Sequence, residues 1–496
     1  MSALPLLAAA ALLSLALLRG RAALRAPASS SLAMFVGALS VRLLWVPVRR
    51  HEYDGHEAEH LSWFLGERTP GAGDTLAYPL MQWWWWLWGL LLPADERLPI
   101  FLSALVGALG VAIVAGGVGT LAGRRAGWLA GILLSLHPTH AAWSSSAYNV
   151  ILPHTLGWLS VVLVLLWERR EEPVLAYAAI AAGVLACAGR METIVYALPA
   201  ALLIASSGRL REWLLPALIG TILTIAAALP VLGSGPLPGS EERWSSLVLN
   251  LPILDFHAPL SGLLPLLCLA LLSVGAWRRS PAVTTALLAT VAANHVLMST
   301  FSDYGARHTL PALLALGWCG GVGALALGRV GLVCWGVLAV LLCGGMADLR
   351  ERYYASEEAF EAELSQAPWA SLPRIAARPG VSEGCGWIAE DERVSVDPAR
   401  SHFNLLDAAE VASLRGEGGC LYWCADIQDW RWSSRGVRSR ARRLERMYVL
   451  RPTAVVVEQS SGYSCLVMWV GERDFRPWPF VAEWHGRGHP ADTFLP

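Results

Sequence analysis

Up to about residue 347, apolar residues come in long blocks and not in the spaced pattern of a half-buried helix or strand. Blocks near the roughly 20 residues needed to cross a bilayer lie near 3–18, 29–47, 98–121, 126–144, 148–167 and 174–187. Six more follow near 190–206, 213–233, 259–277, 282–299, 309–328 and 330–347. The pattern predicts an α-helical multi-span membrane domain over 1–347 with about 11–12 transmembrane helices and a first outer loop at 48–97. Segment 3–18 reads as a retained span, because its positive charges follow the apolar core and no small-residue cleavage site is evident.

Beyond about Asp348 the hydropathy drops and charge rises, which predicts a soluble domain of ordinary size over 348–496. Thr453 to Gln459 (TAVVVEQ) and Tyr463 to Val470 (YSCLVMWV) read as strands, and Asp407 to Leu414 (DAAEVASL) as a helix, so the expected class is α/β. Its cysteines Cys385, Cys420, Cys424 and Cys465 allow two disulfides in any of three pairings in an oxidising compartment, or four free thiols. Cys187, Cys268, Cys319, Cys334 and Cys343 fall in apolar spans and read as small packing residues.

Charge placement orients the spans. Arg19, Arg21, Arg25, Arg124, Arg125, Arg169, Arg170, Arg209, Arg211, Arg278, Arg279 and Arg329 all fall on one side, which the positive-inside tendency makes cytoplasmic. Arg42, Arg49, Arg50 and Arg68 are exceptions on the other side. That outer side also holds 48–97, His137 to Asn149 (HPTHAAWSSSAYN), Gly189 to Glu192 (GRME), 234–258 and Phe301 to His308 (FSDYGARH), so chemically able side chains concentrate there. An outward-facing active site accounts for this asymmetry. The C-terminal domain is expected on the same extracytoplasmic face of a bacterial cytoplasmic (inner) membrane.

Composition narrows the classes. The 496 residues are 55% hydrophobic and 16% charged, with a formal net charge of −1, so no basic field exists to recruit nucleic acid. All 38 cationic residues are arginine, and without lysine neither a Walker phosphate loop nor Schiff-base chemistry is available.

The densest chemistry is YDGHEAEH, Tyr53 to His60, with three carboxylates and two histidines in eight residues. It contains H-E-x-x-H, which on a helix would place His56 and His60 on one face as zinc ligands with Glu57 polarising a bound water. The continuation LSWFLGER supplies neither the Gly nor the third His of the longer zinc pattern, and Glu59 puts a charge between the ligands. The plain structural alternative is that Asp54 N-caps a helix lying along the membrane surface, with Glu57 and Glu59 near its start.

The order of span, acidic outer loop, interfacial helix, many spans and outer C-terminal domain resembles the GT-C class of polyprenyl-phosphate-sugar-dependent glycosyltransferases. It is most similar to the branch holding the protein O-mannosyltransferases and the aminoarabinose and galacturonic acid transferases of lipopolysaccharide. The motifs that carry the likeness are DGHEA at Asp54 to Ala58, FLG at Phe64 to Gly66, YPL at Tyr78 to Leu80 and the run Trp83 to Trp86. LHPTHAAWSS (Leu136 to Ser145), GRME and SDYGARHTLPALLAL (Ser302 to Leu316) extend it. His56 stands where such proteins often have Asp before Glu, leaving Asp54 first and Glu57 second as candidate base.

The resemblance implies an inverting transfer of a hexosyl or pentosyl group from a polyprenyl-phosphate donor to a glycan, lipid or protein acceptor outside the cytoplasm. It implies substrate-binding roles for His56, His60, Tyr78, Arg190, Tyr304, Arg307 and His308, with the cations offsetting charge on the departing phosphate. For Arg307 a headgroup anchor is the bland alternative, and for Arg190 an ion pair with Glu192 across a turn. No cofactor is required by this chemistry, although a divalent metal is left open. Of Trp83 to Trp86 and Trp88, some are expected to form an interfacial belt and others to line a groove for the prenyl chain or stack on a sugar; the arginines between Arg435 and Arg446 are read as a solvated helix face, with a contact for anionic lipid or glycan as the alternative. A transporter or flippase for lipid-linked sugars is the alternative from another class, and a membrane zinc protease using HEAEH the third.

Overall fold

The computed structural model describes residues 4–19, 28–44, 55–70, 79–95, 97–145, 150–228, 263–299, 309–353 and five strands between 374 and 472. The helices belong to one compact unit and the strands to a second.

In chain order the helices are α1 (Leu4–Arg19), α2 (Ala28–Leu43), α3 (Gly55–Phe64), α4 (Pro79–Leu91), α5 (Arg97–Ala122), α6 (Arg124–Ser135), α7 (Pro138–Trp143), α8 (Ile151–Arg170) and α9 (Pro173–Gly189). A 3₁₀ turn, Met191–Tyr196, leads into α10 (Ala197–Ser206). Then come α11 (Leu214–Ala228), α12 (Leu263–Arg279), α13 (Pro281–Ser299), α14 (Leu310–Trp318) and α15 (Arg329–Tyr353). A π turn, Cys319–Gly323, prolongs α14 to Ala326.

Over their described residues the apolar blocks read from the sequence are helical, most of them as one helix each. Arg97–Ala122, Ile151–Arg170 and Arg329–Ala347 are long and apolar enough to cross a membrane, and six shorter apolar helices accompany them. The expected span 126–144 is split: Leu136 and His137 break the helix, and Pro138 starts α7, because its ring fixes φ and its missing N–H is no loss in a first turn.

Tight turns make successive helices antiparallel. Between α5 and α6 the reversal takes one residue, Gly123, at φ 100°, and between α14 and α15 Gly328 turns at φ 58°; both lie in the left-handed region that glycine enters at least cost. Glu171, at φ 59°, caps α8 before Pro173 opens α9. These turns carry Arg124, Arg125, Arg169, Arg170 and Arg329, so the arginine-bearing ends gather at one end of the unit. There Arg209 lies 4.8 Å over the Trp167 ring and pairs with Glu171 at 3.0 Å and Glu212 at 2.6 Å.

The largest core cluster centres on α5, α8 and α9 with buried Val111, Val114, Trp158, Val161, Leu163 and Leu175. Small residues let backbones approach: a Cβ on Gly127 would overlap the Ala115 carbonyl oxygen, and one on Gly323 the Leu272 carbonyl oxygen. Such overlap has no rotamer by which to escape. Gly127→Ala is expected to cost about 1–3 kcal/mol, read as a lower melting temperature in detergent; an unchanged temperature would contradict this packing.

The strands are β1 (Arg374–Ile375), β2 (Cys385–Ala389), β3 (Cys420–Asp426), β4 (Tyr448–Glu458) and β5 (Tyr463–Glu472), forming one mixed sheet in the order β1-β4-β5-β3-β2. β4 and β5, the two strands expected from the sequence, are an antiparallel pair joined through 459–462. Their register slips between Pro452 and Ala454, where proline has no N–H to give the ladder. β1 joins β4 and β2 joins β3 in parallel. The expected helix 407–414 and the arginines 435–446 lie outside the described residues.

Candidate functional site

At the ends opposite the arginine-bearing turns, the helical unit buries polar side chains of unusual cost. Arg42, in the last turn of α2, is fully buried. One guanidinium nitrogen donates to the Ala38 carbonyl at 2.7 Å, and another bonds the His140 Nδ1. A guanidinium has only donors, so His140 Nδ1 is the acceptor and its proton sits on Nε2. Among the described residues no carboxylate lies within ion-pair reach of Arg42.

His140 belongs to α7, and its ring stacks on Trp158 of α8 with centroids 5.1 Å apart and planes 17° from parallel. The Ser144 hydroxyl closes the turn by donating to the His140 carbonyl. Gly107 of α5 leaves the room for this: a Cβ there would overlap Ser144 and lie 3.2 Å from Arg42 Nε. The sequence places His137 to Asn149 in an outer loop. Within that stretch His137, Thr139, His140, Ser144 and Ser145 are all buried, and the hydroxyls of Ser144 and Ser145 turn back onto helix carbonyls.

His154 lies one turn before Trp158 and on the same face of α8. Its Nδ1 is 2.9 Å from the Tyr196 hydroxyl, while Tyr196 packs over Gly157, where any Cβ would overlap the phenol ring. Tyr196 closes the 3₁₀ turn that begins beside Arg190. Arg190 is buried and pairs with Glu192 across that turn, and the Thr193 hydroxyl donates to the Arg190 carbonyl at 2.7 Å. GRME is thus an internally bonded turn in which Gly189 and Arg190 are buried, Glu192 is part-buried and Met191 is exposed. One face of α8 therefore connects two constellations, Arg42 with His140 and His154 with Tyr196.

The α3 and α4 helices bring aromatic surface to the unit. His60 is buried, 5.4 Å from the Trp63 ring and 6.5 Å from the Trp85 ring. Gly89 of α4 takes the Phe64 carbonyl where a Cβ would stand. Leu80, from the YPL element, is 3.4 Å from the position of a Cβ on Gly189, the residue before Arg190. Trp85 is buried, whereas Trp83, Trp84, Trp86 and Trp88 are half-buried and pack edge to face, a mixture of core and rim.

Of the residues singled out from the sequence, the structure describes the side chains of His60 and Arg190. His56 and Glu57 lie on the α3 backbone, one residue apart, and their side chains are outside the described residues. Asp54, Tyr78, Tyr304, Arg307 and His308 are outside them altogether. The zinc alternative needs His56, whose side chain is among those outside the described residues. In the sequence Arg42 stands out only as an exception to the charge rule, and His154 and Tyr196 belong to no motif. The one signal for His154 was an imidazole inside the apolar run ILPHTLG.

Chemically, the arrangement offers buried guanidinium and imidazole groups beside a phenol hydroxyl. A buried cation is costly unless a counter-charge or dipoles offset it, which makes such a cluster a natural receiver of an anion.

No protein-family model and no curated protein matches the sequence. Solved structures do. The chain is similar to ArnT from Cupriavidus metallidurans bound to undecaprenyl phosphate, with a TM-score of 0.52 and 14% identity, over 90% of this chain and 99% of that one. Against ArnT from Cupriavidus metallidurans in the apo state the TM-score is 0.54 at 14% identity, over 89% of this chain and 98% of that one. The chain shares its fold with these ArnT structures.

Proposed function

We propose that this chain is an integral membrane glycosyltransferase that moves a sugar from a polyprenyl-phosphate donor to an extracytoplasmic acceptor, with inversion. The observation that carries the reading is the cluster of buried Arg42, His140, His154 and Arg190 at the helix ends opposite the arginine-bearing turns, within this fold. A phosphate-linked lipid is an anion presented at the membrane surface, and such a cluster is what its headgroup requires.

In the reaction a carboxylate takes the proton from the acceptor hydroxyl or amine as its lone pair attacks the anomeric carbon. The bond from that carbon to the phosphate oxygen breaks on the opposite face, and its electron pair stays with the polyprenyl phosphate. Asp54 is assigned as base, with Glu57 second. Arg307, His308 and Arg190 are assigned to the phosphate, and His56, His60, Tyr78 and Tyr304 to the remaining substrate contacts. Arg42, held by His140, joins the cations that offset the developing phosphate charge. The active face and the sheet domain are assigned to the outer side of the cytoplasmic membrane.

Arg42→Met is expected to lower transfer by about 10²-fold while the protein stays folded, and Arg42→Lys to recover only part of it, since lysine restores the charge but not the planar fork. Full activity in Arg42→Met would remove Arg42 from the site. The reading itself is tested by the anomeric configuration of the product, followed by NMR with purified protein and defined donors. Inversion in the presence or absence of a chelator supports it. Retention of configuration contradicts it, and loss of activity to the chelator would require a metal.

A further inference from the structure

The sheet register resolves which cysteines of the second unit stand together. Cys385 of β2 lies directly opposite Cys420 of β3 in the parallel ladder, and Cys424 of β3 lies directly opposite Cys465 of β5 in the antiparallel one. Directly opposed residues on neighbouring strands have Cα atoms about 4.5–5.5 Å apart, inside the ~4.4–6.8 Å that a disulfide spans.

The other two pairings fail on distance. Cys420 and Cys424 are four residues apart on one strand, which at ~3.3 Å per residue is about 13 Å. The same four-residue offset separates Cys385 from the partner of Cys424 and Cys465 from the partner of Cys420. Cys385 and Cys465 are further divided by the whole of β3, since β2 and β5 flank it. Bridges cannot form beyond about 7 Å between Cα atoms. Of the three pairings four cysteines allow, one survives.

We infer that the sheet carries two disulfides, Cys385–Cys420 and Cys424–Cys465, which knit β2, β3 and β5 together on one face. Cys420 and Cys424 are separated by an even number of residues and so share a face, and each directly opposed partner shares it too. Each bridge forms when a pair of thiols gives two protons and two electrons to a dithiol-disulfide oxidant, whose own disulfide becomes two thiols. The inference rests on the proposed outer, oxidising location of this domain, where such oxidants act. By contrast Cys187, Cys268, Cys319, Cys334 and Cys343 of the helical unit are free thiols.

The test is mass spectrometry of the full-length protein, extracted from membranes with N-ethylmaleimide present and digested with chymotrypsin without reduction. Cleavage after Tyr422 or Trp423 separates Cys420 from Cys424. The expected result is one peptide pair joining Cys385 to Cys420, another joining Cys424 to Cys465, and maleimide on the five helical cysteines. Cys465→Ser should expose Cys424 alone, leaving Cys385–Cys420 intact. Maleimide on all four sheet cysteines, or bridges in another pairing, would overturn the inference. Sugar transfer measured on the same preparation separates the two readings: transfer with four free thiols removes the bridges and leaves the enzyme, and bridges without transfer do the reverse.

Discussion

Asp54→Asn is expected to lower sugar transfer by about 10²–10⁴-fold, the range a positioned general base contributes. The amide is nearly isosteric with the carboxylate and cannot accept the acceptor's proton, so donor binding should persist while turnover falls. Asp54 is chosen before Glu57 because DGHEA retains Asp at the head of the motif and replaces its second acidic position with His56. If Glu57 is the base, Glu57→Gln carries the large loss and Asp54→Asn a small one. The comparison is made on initial rates in membranes, at equal protein. Full activity in both variants would end the assignment of either carboxylate.

Trp158→Ala is expected to destabilise the helical unit by about 3–5 kcal/mol, the cost of emptying a fully buried indole site. Trp158 is completely inaccessible, belongs to the central cluster and lies 3.4 Å from the position of a Cβ on Gly110. In a lipid-facing unit the loss is of packing contacts more than of burial from water. The same substitution removes the flat surface on which His140 rests, so Arg42 loses a fixed acceptor. Melting in detergent measures the first effect, and activity at a temperature where the variant is folded measures the second. Trp158→Phe, which keeps a stacking face, should recover most of both. A Trp158→Ala protein as stable and as active as the parent would mean that this face of α8 does not hold the site.

The helices were legible because long apolar blocks bounded by arginine turns have few other physical solutions, and most blocks are single helices. The break at His137 was not, since Pro138 sits inside a stretch apolar enough to read as continuous. β4 and β5 announced themselves by β-branched and aromatic residues. β3, with the sequence CLYWCAD, has too short a pattern to be separated from a loop without its neighbours.

The site was legible only in part. Arg42 broke the charge rule, but its partner His140 is 98 residues away, and His154 meets Tyr196 across 42 residues. A single imidazole in an apolar run has the same appearance whether it packs or binds. The fold adds what spacing alone does not, by bringing His140 onto Trp158 and Tyr196 onto His154. Arg190 and Glu192, two residues apart, were close enough for the pairing to be read directly.

The central claim is that bonds are exchanged at the sugar–phosphate linkage. It is tested most directly by incubating the purified protein in nanodiscs with radiolabelled polyprenyl-phosphate sugars and a crude extracytoplasmic acceptor fraction. A nanodisc has no enclosed compartment, so movement of lipid across the bilayer cannot imitate transfer. The account predicts label in the acceptor and an equal amount of free polyprenyl phosphate. Donor that binds saturably, yet stays intact with every sugar offered, would contradict it and turn the reading toward a carrier of lipid-linked sugars.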